Sequence, residues 1–400
     1  MRITLCLLAV LCLTGADWLQ FRGTDHTGAA PGASPPTRFD EKENRDNIAW
    51  KAKLPGRGVS GPIVVKGRVI VTASSGFRRD RLYVVCFDAN TGDQVWERQF
   101  WATGRTFCHP SSANAAPTPC SDGRRIFAFF SSGDLFCLDL DGNLQWLRGL
   151  GHDFPAAGND VGMSSSPVVA DGTVIVQMEA QGDSFAAGID AASGATRWRH
   201  ARPEMSNWAS PTTLRGRSAG GDLVLMQSSE AVEALQPRTG EAVWKHNTEC
   251  SSIPSIITDG KTIYVPTNGL TAFRANFGSR DNPRLWSENR LGPSSPSPVI
   301  RDGRLYVLKG SILVCGDAST GKVLWQLRVK GRRFWATPVV AGKHIFLAND
   351  DGLVQVVDVA GKEGQLVASN ALGQAVFGTP AIADAALYVR SHETLWKIAE

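Results

Sequence analysis

The sequence predicts an eight-bladed β-propeller, an all-β ring of four-stranded antiparallel blades. A proline that opens a short apolar strand recurs eight times, at spacings of 40 to 57 residues, and a tryptophan that closes a fourth strand recurs with the same period. A repeat of four short strands in 40–50 residues is typical of a propeller, because one such sheet cannot bury both of its faces alone. The final repeat also lacks its fourth strand, and the chain carries a spare strand near its start.

The clearest repeat runs from Ser297 to Trp325. It contains three short apolar strands separated by Asp-Gly and Lys-Gly pairs, and the five-residue turn that begins at Asp317 leads into a fourth strand. Such dipeptides are typical of tight hairpin loops between antiparallel strands. The repeat is therefore predicted to be a four-stranded meander.

Two markers align the repeats along the chain. The prolines that open the first strands are Pro62, Pro119, Pro167, Pro211, Pro254, Pro298, Pro338 and Pro380. The tryptophans that close the fourth strands are Trp50, Trp96, Trp146, Trp198, Trp244, Trp286 and Trp325. Because the two markers agree on one period, the repeat does not depend on either of them alone.

The turn before the closing tryptophan has a recurrent composition. An aspartate at its first position can accept hydrogen bonds from backbone N–H groups two or three residues further on, and a glycine at its end can adopt the left-handed conformation that closes the hairpin. These residues are therefore predicted to build the ring and to carry no chemistry. The predicted ring-building residues are Trp50, Asp88, Gly92, Trp96, Asp190, Trp198, Trp244, Asp317, Gly321 and Trp325.

The two ends of the chain predict how the ring closes. After Pro380 the last repeat offers only three strands, whereas residues 46–52 form a fourth strand with no repeat before them. We expect this segment to pair with residues 394–399 and so to complete blade eight. Repeat seven has Gln365-Leu366-Val367 where its tryptophan should stand, so the seam beside it is expected to be the weakest.

The N-terminus predicts export. Arg2 precedes an apolar run over residues 3–13, and small residues lead to Ala16, so residues 1–16 are expected to be a signal peptide cleaved after Ala16. The run is too short to span a bilayer, and no later segment approaches the required length, so no transmembrane segment is expected. Cys12 follows a leucine, which does not fit a lipid-anchoring signal.

Three regions are therefore expected: the signal peptide, an N-terminal extension at 17–45 that docks on the body, and the propeller at 46–400. We expect a monomer in the periplasm or outside the cell. A formal net charge of +4 over 400 residues gives no sign of the basic surface that nucleic-acid binding requires, so no nucleic-acid partner is expected.

The cysteines fall into two groups. Cys86, Cys137 and Cys315 occupy the same place in their repeats, where a small buried apolar side chain is expected. For the other mature cysteines an oxidising compartment permits a disulfide, for example between Cys108 and Cys120, although the sequence does not fix the connectivity.

The motif AxDxxTGxxxW resembles the tryptophan-docking repeat of the pyrroloquinoline-quinone (PQQ) β-propellers. Residues 86–96 and 315–325 match it with cysteine in place of alanine, and the resemblance extends over residues 46–400. The family includes quinone-dependent alcohol dehydrogenases and BamB, an outer-membrane assembly lipoprotein. The dehydrogenases typically carry a vicinal cysteine disulfide and a Ca²⁺ site, and this chain lacks the vicinal pair, whereas BamB-like propellers match its length and its eight repeats.

The segments that enter the first strands are the expected location of a site, because they converge near the central channel of a propeller. A shared mouth would combine aromatic and polar groups suited to a peptide, a sugar or a quinone-like ring. The alternative is that the tryptophans wedge between blades and the arginines cap exposed carbonyls. The candidate binding residues are Arg105, His109, Ser165, Glu179, Trp208, Arg333 and Trp335.

Glu179 lies outside this pattern, in a hairpin of repeat three that also carries Asp183. Its carboxylate could bind a cation or perform acid–base chemistry, or it could belong to a solvated turn. No residue is assigned a catalytic role, and no metal site is predicted.

Two functions follow. The first is an exported, non-catalytic, BamB-like scaffold that binds a protein or peptide on the face made loop-rich by residues 100–116 and 150–161, with no cofactor. The alternative is a quinone- or metal-dependent oxidoreductase with PQQ and Ca²⁺ at the channel mouth.

Overall fold

Eight antiparallel sheets form the ring in the computed structural model of the protein, which describes residues 17–41, 46–158, 161–218, 221–275 and 283–400. The predicted eight-bladed propeller is confirmed. The predicted signal peptide, residues 1–16, lies outside the described residues. Two helical segments, Leu150–Asp153 and Asn289–Leu291, interrupt the sheets, and nowhere in the described ranges is there a helix with the length and apolar character needed to cross a membrane.

Blades one to four each run from an inner strand at the channel to an outer strand at the rim. Blade one comprises Ile63–Val65, Arg68–Ser75, Arg81–Asp88 and Gln94–Trp101. Blade two comprises Cys120–Ser121, Arg125–Phe129, Asp134–Asp139 and Leu144–Gly149. Blade three comprises Val168–Ala170, Thr173–Met178, Phe185–Asp190 and Thr196–Ala201. Blade four comprises Thr212–Ser218, Gly221–Gln227, Ala231–Leu235 and Ala242–Asn247.

Blades five to eight repeat the arrangement, and the last takes its outer strand from the start of the chain. Blade five comprises Ile257–Thr258, Thr262–Thr267, Gly269–Arg274 and Arg284–Glu288. Blade six comprises Val299–Arg301, Arg304–Lys309, Ile312–Asp317 and Val323–Arg328. Blade seven comprises Val339–Ala341, His344–Ala348, Leu353–Asp358 and Gln365–Ala371. Blade eight comprises Ala381–Ala383, Ala386–Arg390, Thr394–Ile398 and Ile48–Lys53.

Burial follows the position of a strand in its blade. Every residue of Thr173–Met178 is buried, whereas Thr196–Ala201, at the rim of the same blade, buries only Trp198. Middle strands are covered on both faces by neighbouring blades and therefore consist largely of apolar and β-branched residues. The core is a series of apolar layers between the blades.

The predicted ring closure is confirmed. Ile48–Lys53 pairs antiparallel with Thr394–Ile398, with Lys51 opposite Trp396 and a bulge next to Trp50. The first and last strands of the propeller thus share one sheet, and blade eight has four strands like the other blades.

Docking tryptophans pack on the turn of the following blade wherever the structure describes that turn. Trp198 donates its indole N–H to the Pro237 carbonyl at 2.8 Å, and a Cβ added to Gly240 in that turn would lie 2.6 Å from the Trp198 ring. The same donation joins Trp50, Trp96, Trp146 and Trp286 to the next turn at 3.0–3.2 Å. Burial of one indole contributes roughly 4–6 kcal/mol at most, at about 25 cal/mol per Å².

The turns have the predicted geometry. Asp317 Oδ1 accepts hydrogen bonds from the backbone N–H groups of Ser319 and Thr320, at 3.0 and 2.8 Å, and Gly321 has a φ of +73°. Asp88 and Asp190 make the equivalent pairs of bonds. The turn that would receive Trp244 includes residues outside the described ranges.

The seam between blades seven and eight uses other residues in place of a docking tryptophan. Phe39, from the N-terminal extension, is buried there, and its backbone N–H donates to Asn370 Oδ1 at 3.2 Å. Trp396 is fully buried in the same apolar cluster and donates its indole N–H to Glu41 Oε2 at 3.0 Å. Blade seven has no docking tryptophan, as predicted, but the N-terminal extension covers this seam. The strength of the seam relative to the others remains a prediction.

The first part of the extension, residues 17–34, threads the channel. Ala29–Ala30 adds a parallel strand to the inner edge of blade seven, and Trp18 exchanges two backbone hydrogen bonds with Val64 of blade one. Between them the fully buried Arg22 donates to Thr212 Oγ1 and to the Ile256 carbonyl, at 2.9 and 2.7 Å. The expectation that this extension docks on the body is confirmed, and it docks inside the ring.

Two expectations need correction. Cys108 and Cys120 form no disulfide, since all six described cysteines are free buried thiols; those at the repeated position pack in the core as expected. In blade five, Ser255 and not the residue before Pro254 occupies the position equivalent to Ser210, because the proline lies two residues earlier relative to the inner strand.

Two turn glycines provide a matched test of tryptophan docking. Gly321 and Gly303 have φ values of +73° and +71°, but an added Cβ would lie 2.6 Å from the Trp286 ring at Gly321 and would meet nothing within 4 Å at Gly303. We expect Gly303→Ala to cost about 1–2 kcal/mol for the left-handed backbone alone. Gly321→Ala should cost a further ~1–3 kcal/mol because it displaces the indole.

The measurement is the melting temperature of each variant under the same conditions. Equal losses for the two alanine variants would show that the indole contact contributes nothing beyond the backbone conformation.

Candidate functional site

A ring of buried hydroxyl groups encircles the channel at the start of the inner strands. At each step the backbone N–H of one blade donates to the hydroxyl of the equivalent residue in the next blade, at 2.8–3.0 Å. The hydroxyl residues are Thr118, Ser166, Ser210, Ser255, Ser297, Thr337 and Thr379. The chain of bonds begins at Gly61, where a Cβ would lie 2.6 Å from the Thr379 carbonyl oxygen.

These hydroxyls form the wall of a cavity of about 560 Å³. Its floor is Phe21 of the extension, and the segments entering all eight inner strands contribute to its lining. Because residues 17–34 occupy the channel beneath Phe21, the cavity opens only toward the face that carries these entry segments. We call it the mouth pocket.

Four predicted residues lie together in the mouth pocket. His109, Trp208, Arg333 and Trp335 all contribute to its lining. Trp208 donates its indole N–H to the Gly162 carbonyl at 2.8 Å and so joins two neighbouring entry segments. Arg333 forms an ion pair with Asp350 at 3.2 Å, with its side chain 75% exposed, and Trp335 is 42% exposed. Their role in binding stays a prediction.

His109 also contacts a hydroxyl group, but the contact belongs to a local turn. Its Nδ1 lies 2.7 Å from Ser111 Oγ, and the Ser111 backbone N–H lies 3.2 Å from the same nitrogen. Both residues are in the same entry segment, and no carboxylate among the described residues is hydrogen-bonded to the other ring nitrogen. The pair therefore lacks the orienting group of a nucleophile–base system.

Arg105 and Ser165 do not line the pocket. Arg105 is exposed on the entry segment of blade two, where its side chain lies against Gly158. Ser165 is buried between Ser164 and Ser166, which do line the pocket, and its hydroxyl has no protein partner within the described structure. The alternation of side chains along an extended segment explains why Ser165 points away from its neighbours.

Glu179 is also separate from the pocket, and its hairpin is not a solvated turn. Its side chain is 1% exposed, pairs with Arg202 at 2.6 Å and accepts a hydrogen bond from Asn207 Nδ2 at 3.0 Å. Arg202 also pairs with Glu233 of blade four. Burial raises the pKa of Glu179, and the contacts with Arg202 and Asn207 offset the rise only in part. The network joins blades three and four and leaves no free carboxylate.

The sequence did not reveal the floor or the wall of the pocket. Phe21 belongs to the non-repeating extension, so no periodic signal marks it. The hydroxyl ring did leave a signal, since the Ser or Thr before the opening proline recurs in six of the eight repeats, at Thr118, Ser166, Ser210, Ser297, Thr337 and Thr379. It was interpreted only as an alignment marker.

Buried cations lie beside the pocket, between blades eight and one. Arg390 is fully buried, and it donates to Ser60 Oγ and to the carbonyls of Thr72, Ser391 and His392. Burial lowers the pKa of Arg390 to about 9. Because no carboxylate bonds it in the described structure, backbone dipoles stabilise this charge.

The described lining does not fit a quinone held by Ca²⁺. Calcium prefers carboxylate and carbonyl oxygens, whereas the titratable side chains described in the lining are His109 and Arg333. The described ranges contain no group of three or more His, Cys, Asp or Glu side chains arranged for a metal ion. The pocket is suited instead to an apolar or aromatic group surrounded by hydroxyls.

Comparison with protein families identifies one family over most of the chain. The family profile described as outer membrane protein assembly factor BamB matches residues 42–158, 86–253 and 270–367. The outer membrane protein assembly factor BamB of Burkholderia pseudomallei is 25% identical over 369 residues, covering 86% of this chain and 85% of that protein.

Solved structures share the fold. The structure of BamB from Moraxella catarrhalis superposes with a TM-score of 0.64 and 18% identity, covering 87% of this chain and 96% of that one. A europium-containing methanol dehydrogenase superposes with a TM-score of 0.70 and 14% identity, covering 94% and 89%. At these identities the likeness shows the fold alone.

The histidine next to Arg390 predicts a pH dependence of stability. Burial, together with Arg57 and Arg390, lowers the pKa of His392 from 6.5 to about 4. The unfolded chain therefore binds this proton more readily than the folded protein. The contribution of neutral His392 to the free energy of unfolding should be fully present above pH 6.5 and should fall as the pH decreases toward 4. His392→Gln, which keeps an acceptor for the Arg57 N–H, should flatten this decline.

The measurement is the melting temperature between pH 7.5 and 4.5. The control is His152→Gln at an exposed histidine, which should follow the unmodified protein. A decline unchanged by His392→Gln would assign the acid sensitivity to other groups.

Proposed function

The chain belongs to the family of the outer membrane protein assembly factor BamB, and we propose that it is an exported, non-catalytic scaffold that holds a protein partner at the mouth pocket. Membership of this family supports a role in protein binding, since the relatives are described as assembly factors. The signal-peptide-like N-terminus supports export.

The observation that carries the proposal is the construction of the pocket. Its floor and upper walls are apolar or aromatic, including Phe21, Trp208, Trp335 and Phe377. The hydroxyls between them already accept backbone hydrogen bonds, and the described lining offers no carboxylate to act as a general base. A concave apolar site with orienting polar groups favours binding over chemistry.

Photo-crosslinking tests this directly. A photoreactive amino acid in place of Trp335 should capture a protein partner when the full chain is expressed in an exporting cell, because Trp335 lies at the rim of the pocket. The matched control is the same replacement at Leu324, an exposed residue on the outer strand of blade six. Equal capture at both positions, or none at Trp335, would contradict the scaffold role.

The oxidoreductase alternative has its own test. A ligand that binds only the folded protein increases the free energy of unfolding, by about 2.7 kcal/mol at one hundred times its Kd. The melting temperature rises as a result. Because the described lining offers no carboxylate for Ca²⁺, PQQ with CaCl₂ should leave the melting temperature unchanged. A rise that grows with PQQ concentration and requires Ca²⁺ would favour the oxidoreductase.

A further inference from the structure

Exposed aromatic residues lie beside arginines on one side of the mouth. Three segments share this composition: 77–79 in a hairpin of blade one, 105–109 at the entry to blade two, and 332–335 at the entry to blade seven. We call these three segments the basic arc. They belong to blades seven, one and two, with blade eight between seven and one in the ring, so they form one side of the rim.

The hairpin segment is fixed against the rim by its second arginine. Arg79 Nη1 donates to Cys108 Sγ at 2.7 Å and contacts the His109 carbonyl at 3.4 Å. Its neighbours point outward, since Arg78 is exposed and Phe77 is 104% exposed. The fold therefore holds a fully exposed phenylalanine in a defined position beside the mouth.

The other two segments repeat this division between anchor and exposed side chain. At the entry to blade two, Cys108 is buried whereas Phe107 is 69% exposed. At the entry to blade seven, Phe334 is 5% exposed whereas Trp335 is 42% exposed and reaches the pocket. Large apolar side chains exposed together on one face, and not scattered singly, mark interaction surfaces.

The opposite side of the mouth carries the opposite charge. Glu204, Glu230 and Glu249 are exposed on the loops of blades three to five. On this side Arg202 is 5% exposed and paired with Glu179 and Glu233, and the exposed Arg290 is paired with Glu288.

The side of the basic arc also carries exposed carboxylates, at Asp351 and Glu393. Because the five arginines of the arc outnumber them, the rim is electrostatically polarised, and a charged segment crossing it would have a preferred direction.

We propose that the basic arc binds an acidic segment of a partner protein that carries large apolar or aromatic side chains, one of which enters the mouth pocket. This inference rests on the proposed function and specifies the chemistry of the partner. The arginines of the arc attract the carboxylates, the exposed aromatics cover the apolar side chains, and the glutamates of the opposite side repel the acidic end.

A protein segment fits this surface better than an anionic membrane does. Phe77 protrudes and could reach a bilayer, but Trp335 lines a concave pocket that a flat bilayer cannot enter. A flat anionic surface that reached the basic arc would also approach Glu204, Glu230 and Glu249, because these glutamates lie across the same opening from the basic arc. A flexible chain can contact one side and avoid the other.

The test uses fluorescein-labelled peptides and the full chain. The acidic probe alternates Glu with Phe and Leu, a second probe replaces each Glu with Lys, and a third replaces each Phe and Leu with Ser. Fluorescence anisotropy should show binding of the acidic apolar probe alone. Its affinity should fall as NaCl is raised through 0.1 M, where the Debye length is about 10 Å.

Variants locate the site. The double variant Arg78→Glu/Arg332→Glu should weaken binding of the acidic probe by about tenfold or more, and Trp335→Ser should weaken it separately. The matched control is Arg238→Glu, at an exposed arginine in a turn on the opposite face of the ring, which should bind like the unmodified protein. Unchanged melting temperatures would show that the surface variants fold.

Four outcomes would overturn the inference. Equal binding of the acidic and lysine probes would show that charge does not determine binding. Unchanged binding by Arg78→Glu/Arg332→Glu would show that the basic arc is not the binding site. Sedimentation with phosphatidylglycerol vesicles but not with phosphatidylcholine vesicles, without peptide binding, would reassign the surface to membranes. If crosslinking at Trp335 captures a protein while the acidic probe does not bind, the scaffold role stands and this inference alone fails.

Discussion

The pairing of Ile48–Lys53 with Thr394–Ile398 is the contact on which the other features depend. A blade buries its faces only against neighbours, so an open ring would expose the faces of the first and last blades together with an unpaired strand edge. Closure also brings Trp50 onto the first turn of blade one, which extends the tryptophan docking through blade eight. The most distant segments of the chain thus complete a pattern that is otherwise local.

Closure also creates the functional surface. Only a closed ring places the hydroxyls from Thr118 to Thr379 around one axis, and only a closed ring gives residues 17–34 a channel to occupy. The extension seals that channel from below, and Phe21 becomes the floor of the mouth pocket. A channel open at both ends, which repetition alone would produce, becomes a pocket with one entrance. The single entrance explains why the irregular loops on that face define the candidate site.

The parts of the molecule that the sequence predicts are those that repeat. The Asp-to-Gly turns and the docking tryptophans recur at one period, so they indicate the number of blades. The spare strand that contains Trp50 matches the strand missing from the last repeat, so it indicates how the ring closes. The site depends on residues that differ between repeats. Trp208 and Trp335 could be recognised because large aromatics stand out in short loops, whereas Phe21 gives no periodic signal. The buried ion pair of Glu179 could not be predicted, because Arg202 and its second partner Glu233 lie far away in the sequence and meet only across a blade seam.

Arg22 has a consequence for the order in which the protein assembles. Its guanidinium bonds to Thr212 in blade four and to Ile256 in blade five, and the flanking residues pair with blades one and seven. None of these acceptors is in place until most of the chain has been made and the blades have met. Residues 17–34 precede all the blades in the sequence but are buried only after the blades have formed. Until then, Trp18, Leu19 and Phe21 stay accessible to other proteins.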